Sequence, residues 1–148
     1  MKKLFTKSHI LASLLFCTTI FYAQSPSLAW AKQIIKTNAS SSGGPQSIAI
    51  DTLGNVYTAG YFFGTYNFDS GATNYTLTAA TQTGYVMKQD GLGNLLWAYK
   101  IDNDIDLNIA KVAIDKQNNV YLTGYYRGVS DFDPTAGVST YTSNGLAD

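Results

Sequence analysis

The sequence has no glutamate, one cysteine (Cys17) and one histidine (His9), and both of those single residues sit near the amino terminus. Met1-Lys2-Lys3 with Lys7 forms a positive region, and Ile10 to Tyr22 is an apolar run broken only by Ser13, Thr18 and Thr19. That is the pattern of a secretory signal peptide over residues 1–23. The run is shorter than the roughly 20 apolar residues a membrane-spanning helix needs. Small Ala23 before Gln24 offers the cleavage point, so a secreted or extracellular-surface location and a mature start at Gln24 are expected. A lipoprotein reading would use Cys17, but bulky Phe16 stands where a small residue is required. No later stretch is apolar enough to span a membrane.

With that segment removed, the chain keeps neither Cys nor His. Serine and cysteine relays that need an imidazole, zinc sites built on His or Cys, and a disulfide framework are all excluded within it. Stability must therefore come from packing. Three of the ten basic residues leave with the signal and all ten Asp stay, so seven cations face ten anions, a net charge of −3. A mildly acidic surface lacks the basic stripe that releases counterions from a phosphate backbone, which argues against nucleic acid as a partner.

What is present is Tyr, Thr and Phe with few charges, the composition of an all-β protein. It is organised by a repeat. Asp51-Thr52-Leu53-Gly54-Asn55-Val56-Tyr57-Thr58-Ala59-Gly60 returns as Asp115-Lys116-Gln117-Asn118-Asn119-Val120-Tyr121-Leu122-Thr123-Gly124, a displacement of 64 residues. The same offset carries Tyr61 onto Tyr125, Gly64 onto Gly128, Phe68 onto Phe132 and Asp69 onto Asp133. Self-similarity at a fixed period of strands and turns indicates repeated sheet modules.

Within a module, Ser47 to Ile50 and Lys111 to Ile114 alternate with period two and read as strands. Small Ala49 and Ala113 suit close approach to a neighbouring sheet, with Ile48, Ile50, Val112 and Ile114 filling the other face, so both faces are expected to be buried. Residues 28–36 read as the final strand of one blade, 46–101 as a full blade and 109–148 as a partial blade, with Asn38 to Pro45 as a flexible connection. Tyr141-Thr142 aligns with Tyr75-Thr76 after a two-residue insertion, and the next strand is expected a few residues beyond Asp148. The chain is thus expected to be the amino-terminal piece of a longer protein that supplies further blades.

A tight turn is used three times: Asp51, Gly54 and Asn55; Asp90, Gly93 and Asn94; Asp115, Asn118 and Asn119. A type I turn followed by a left-handed residue closes a hairpin, the Asp carboxylate caps it, and the left-handed position takes Gly or, second best, Asn. Asn118 in place of Gly is the substitution that this geometry permits. These residues are structural, with no catalytic role.

Ile48 to Gly60, followed by Tyr85-Val86-Met87-Lys88-Gln89-Asp90-Gly91-Leu92-Gly93-Asn94-Leu95-Leu96-Trp97, resembles the SBBP-type bacterial β-propeller repeat. The shared pattern is an apolar-Ala-apolar-Asp strand, Gly-Asn-Val-Tyr-x-x-Gly, then aromatic-Val-x-Lys and a second Gly-Asn turn. The resemblance implies propeller blades of four antiparallel strands, here incomplete at about two repeats. It implies secretion or surface display and supplies no catalytic motif. Because repeats bury their faces against neighbours, the piece alone is expected to be marginally stable.

Asp102, Asp104 and Asp106 have the spacing with which carboxylates line a calcium loop. Leu107 stands where that loop needs Gly and Ala113 where it needs Glu, which excludes an EF-hand and leaves a looser calcium site set against a solvated linker. Asp131 and Asp133 flank Phe132 as Asn67 and Asp69 flank Phe68, and turn capping around a Phe anchor is set there against calcium. Acid and nucleophile Asp pairs for glycoside hydrolysis find no support, because these Asp sit at turns. Tyr61-Phe62-Phe63 and Tyr125-Tyr126-Arg127 are candidates for stacking on sugar rings, although alternate residues must face opposite ways. The function expected is a non-enzymatic scaffold for a protein or glycan ligand, without a cofactor. The alternative is an accessory domain of a larger secreted hydrolase whose catalytic part lies beyond residue 148, a choice fold alone cannot make.

Overall fold

The computed structural model describes residues 27–71 and 73–148. The expected signal segment, with Cys17, His9 and the cleavage point at Ala23, lies outside the described residues. Among the described residues the secondary structure is all strand, and no helix is long and apolar enough to cross a membrane.

Alternating Val, Tyr, Thr and Phe suit a half-buried pleated surface, and they build one four-stranded antiparallel meander. Its strands are β2 (Ser42–Ile50), β3 (Val56–Asn67), β4 (Thr76–Gln89) and β5 (Leu95–Ile101), each paired with the next. A two-residue strand, β1 (Ile35–Lys36), joins the far end of β3. The second copy begins with β6 (Asp106–Ile114) and β7 (Val120–Arg127), then a short hairpin of β8 (Val129–Asp131) and β9 (Thr140–Thr142). The repeat extends to the register: Ile114 faces Val120 as Ile50 faces Val56, and bulges fall at Ile109/Lys111 and at Pro45/Ser47. One full blade and part of a second, in open sheets, make an incomplete β-propeller.

Two apolar clusters follow from the two faces of the meander. On one face the rings of Phe62, Tyr66, Phe68 and Tyr85 pack mostly edge-on with Met87 beside them, the Phe68 and Tyr85 centroids 4.9 Å apart. On the other face Tyr57, Ala59 and Val86 meet Leu107, Ile109 and Val112 of β6, so this cluster joins the blades. The approach is close enough that a β-carbon at Gly84 would overlap Leu107 Cδ2. Interdigitation of inner faces is what holds stacked sheets together.

Four sequence expectations change. Of residues 28–36 only Ile35–Lys36 is strand, because Trp30 and Ile34 gain cover by lying across the face of β3 and β4 instead of in the sheet plane. Trp30 Nε1 donates to Gly91 O at 3.1 Å. The connection Asn38 to Pro45 is not a free linker: β2 already begins at Ser42, and Ser41 is buried with its hydroxyl bonded to Asn38 Oδ1 at 2.6 Å.

There is no two-residue insertion before Tyr141. Asp131 faces Thr140 as Asn67 faces Thr76, and Phe132 N donates to Ser139 O as Phe68 N donates to Tyr75 O, all at the 64-residue offset. Finally, both faces of the first strand are not buried. Ile48 and Ile50 are each 65% exposed, whereas Val112 of the second copy is 7% exposed against the first blade. Among the described residues the pattern is covered where the first blade lies against it.

Candidate functional site

The three predicted turns have one geometry. Asp51 Oδ1 accepts from Leu53 N and Asn55 N, both at 2.9 Å, and Asn55 Nδ2 donates to Oδ2 at 2.8 Å. Asp90 makes the same three bonds to Leu92 and Asn94, and Asp115 the same three to Gln117 and Asn119. Gly54, Gly93 and Asn118 occupy the left-handed position at φ of 81°, 80° and 64°, and Asn118 is the one non-glycine with positive φ among the described residues. Glycine tolerates that region freely, and Asn is among the few other residues that visit it.

The Asp51 turn carries more than a cap. Its side chain is fully buried, Lys88 Nζ lies 3.4 Å from Oδ2, and the Tyr57 hydroxyl donates to the same oxygen at 3.3 Å. The ammonium also stands 4.8 Å from the centroid of the Tyr57 ring. Burial raises the pKa of Asp51, but the bonds from Asn55, Leu53 and Lys88 outweigh it and bring the carboxyl down to about 2. The hydrogen bond with Tyr57 leads the contributions that raise the pKa of Lys88, so the pair stays charged. Asp115 repeats the arrangement with Tyr121, whose hydroxyl donates to Oδ2 at 3.0 Å. Sequence reasoning read the Asp as a cap and missed Lys88 and Tyr57. Their shared signal was the aromatic-Val-x-Lys strand beside Asn-Val-Tyr.

The calcium candidates are not gathered into one centre. Lys100 pairs with Asp102. Asp104 Oδ1 accepts from Val129 N at 2.7 Å. Asp106 receives Arg127 through Nε at 2.9 Å and through Nη2, which lowers its pKa. Asp131 Oδ1 accepts from Asp133 N at 3.1 Å and Ser139 N at 2.8 Å, as Asn67 Oδ1 accepts from Asp69 N and Tyr75 N. Asp133 caps Thr135, whose side chain lowers its pKa. Among the described residues no group of three or more metal-ligating side chains stands close enough to hold an ion. Phe68 is fully buried as the expected anchor; Phe132 is 38% exposed, edge-on to Tyr126 and Tyr141.

The stacking candidates divide as alternation requires. Phe62 is buried and Phe63 exposed; Tyr125 is exposed, Tyr126 half-buried, and Arg127 is tied to Asp106. A different pair of tyrosines lines an open cleft. Tyr75 and Tyr99 of the first blade, with Lys100 and Asp102, face Asp131 and Asp133 of the second across a cavity of about 300 Å³. Both rings are about two-fifths exposed, and the Tyr75 hydroxyl is anchored on Ala98 O at 3.0 Å. Only tertiary contact brings these residues together. A larger apolar groove of about 590 Å³ lies on the face carrying Ile48, Thr58, Met87 and Trp30.

Comparison with known proteins agrees with this architecture. The chain is 28% identical over 129 residues to an uncharacterised WD repeat-containing protein of Acanthamoeba polyphaga mimivirus, an alignment covering 84% of this chain and 9% of the viral protein. The chain thus spans less than a tenth of that relative's length. No solved structure matches it. The SBBP family, described as a beta-propeller repeat, matches residues 29–61. That segment runs from beside Trp30 through β2 to Tyr61 of β3, so the chain carries an SBBP β-propeller repeat, built into its one complete blade.

Proposed function

We propose that this chain is a non-enzymatic scaffold, exported to the cell surface or medium, that binds a glycan or protein ligand where its blades meet. The observation that supports this reading is the cleft between Tyr75 and Tyr99 on one side and Asp131 and Asp133 on the other. Tyrosine presents a rigid apolar face for a sugar ring, and flanking carboxylates and an ammonium accept and donate to its hydroxyls. Blades hold the two walls, and the end of β8 with the loop that follows it supplies the polar one. Export rests on the charged and apolar pattern of residues 1–23.

Calorimetric titration of the full chain with cello-, chito- and galacto-oligosaccharides tests the binding reading. Heat with one series, lost in Tyr99→Ala, is the expected result. No heat with any of them, or equal heat in Tyr99→Ala, would count against a glycan in this cleft. Mass spectrometry of exported protein beginning at Gln24 tests the location.

A further inference from the structure

The hydroxyls of Tyr66 and Tyr85 find no hydrogen-bond partner among the described residues, although the two residues are only 4% and 1% exposed. A buried hydroxyl left unpaired loses its hydration and gains nothing in return. Phe62 stands edge-on to both rings. Both tyrosines line one cavity of about 140 Å³, together with Ile34, Lys36, Gly43 and Pro45. All of its lining lies between Ile34 and Tyr85, in the complete blade and the short β1 segment that joins it.

The second copy handles the same positions differently. Gly43 faces Phe62 and Pro45 faces Gly60 in the register where Leu107 faces Tyr126 and Ile109 faces Gly124. Leu107 and Ile109 are large and buried, whereas Gly43 offers no side chain. Tyr66 stands where the second copy has Ser130, a buried hydroxyl that does have a partner, receiving Asn103 Nδ2 at 2.8 Å. A glycine for a leucine and a phenol for a serine thus leave the first copy with a space and with donors on its wall.

The lining selects the guest. Burial raises the pKa of both phenols, so at neutral pH they stay protonated and donate. Lys36 lies directly opposite Tyr66 in the β1–β3 ladder, which puts the two side chains on one face. The ion pairs among the described residues engage Lys88, Lys100 and Arg127, and none engages Lys36. The rest of the wall is apolar, from Ile34, Pro45 and Phe62. The volume is about five times that of one liquid water, room for an acceptor head with a short tail. We propose that this cavity binds a small aliphatic carboxylate, its oxygens accepting from the Tyr66 and Tyr85 hydroxyls and the Lys36 ammonium supplying the counter-charge. Bonds to an ionised acceptor are stronger than neutral ones, and a buried charge needs such partners. The cavity shares no lining residue with the Tyr75–Tyr99 cleft, so neither reading depends on the other.

Calorimetric titration of the full chain with sodium acetate, butyrate and hexanoate at neutral pH tests this. Saturable binding of butyrate is expected. Butyramide, of the same shape without the charge, leaves the protein untouched as a comparison and should bind about tenfold more weakly or worse. Tyr66→Phe and Tyr85→Phe remove only the hydroxyls and keep the rings beside Phe62. Each is expected to weaken butyrate about tenfold to a hundredfold, the range for a hydrogen bond to a charged group. Lys36→Gln, at an exposed cation, should weaken it by less than tenfold. No saturable heat with any of the three carboxylates would mean that solvent alone fills the cavity, and would overturn the inference. Equal binding of butyramide and butyrate, or unchanged butyrate affinity in both phenylalanine variants, would do the same.

Discussion

Lys88 Nζ stands 3.4 Å from Asp51 Oδ2 and 4.8 Å from the centre of the Tyr57 ring, so one ammonium from β4 closes the turn between β2 and β3. The carboxylate beneath it is buried and already accepts from Leu53, Asn55 and Tyr57. Removing the cation leaves a buried charge without its counter-charge, which costs more than the pair itself contributes. Lys88→Gln is therefore expected to lower the unfolding temperature, and to raise the pKa of Asp51 when followed by carbon-detected NMR titration. An unchanged Asp51 titration would show that the cation is incidental.

Acid should find this turn. The Asp51 carboxyl titrates at about 2 in the folded chain and near 3.9 when unfolded. The folded state thus holds its proton less tightly, and the stabilisation is complete above the unfolded value. It is lost as pH falls from about 4 to about 2. Unfolding temperature measured across that window should fall, and Asp51→Asn should flatten part of the fall. Asp90→Asn, at an exposed turn, should flatten less of it.

The left-handed turn position gives a stereochemical pair. Gly54→Ala places a β-carbon at φ 81° and should destabilise by about 1 kcal/mol. Asn118→Gly, at φ 64°, relieves the same constraint and should leave stability level or raise it slightly. Denaturant midpoints compare the two, and equal losses in both would contradict the shared geometry.

Two phenylalanines at one repeat position should behave differently. Phe68 is 2% exposed within the ring nest and Phe132 is 38% exposed. Phe68→Ala should cost about 3–5 kcal/mol, and Phe132→Ala clearly less. Chemical denaturation of both variants checks the order.

Coupling between blades runs through Leu107 and Ile109 against Gly84. Leu107→Ala should cost about 2–5 kcal/mol. Hydrogen exchange should then rise in β6 and β7 well before β3 and β4, since repeat modules are held by neighbour interfaces. Uniform exchange throughout would mean that the two copies unfold as one unit.

The repeat, its turns and the strands beside them were legible in the sequence because their causes are local. A carboxylate that reaches two amides within four residues, and a backbone position open to Gly or Asn, need no distant partner. Asp51, Asp90 and Asp115 could therefore be assigned as caps directly. Tertiary structure decided which faces are covered: Ile48 and Val112 share a pattern, yet among the described residues Ile48 is exposed and Val112 is buried against the first blade. It also laid Trp30 and Ile34 across a sheet face, drew Asn38 to Pro45 into contact with β3, and fixed the Asp131–Thr140 register by hydrogen bonds that residue matching had misplaced. Lys88 reached Asp51, and Tyr99 came to share a cleft with Asp133, only through the meeting of strands and blades. Local stereochemistry is written residue by residue, whereas burial and partnership depend on what the rest of the chain brings alongside.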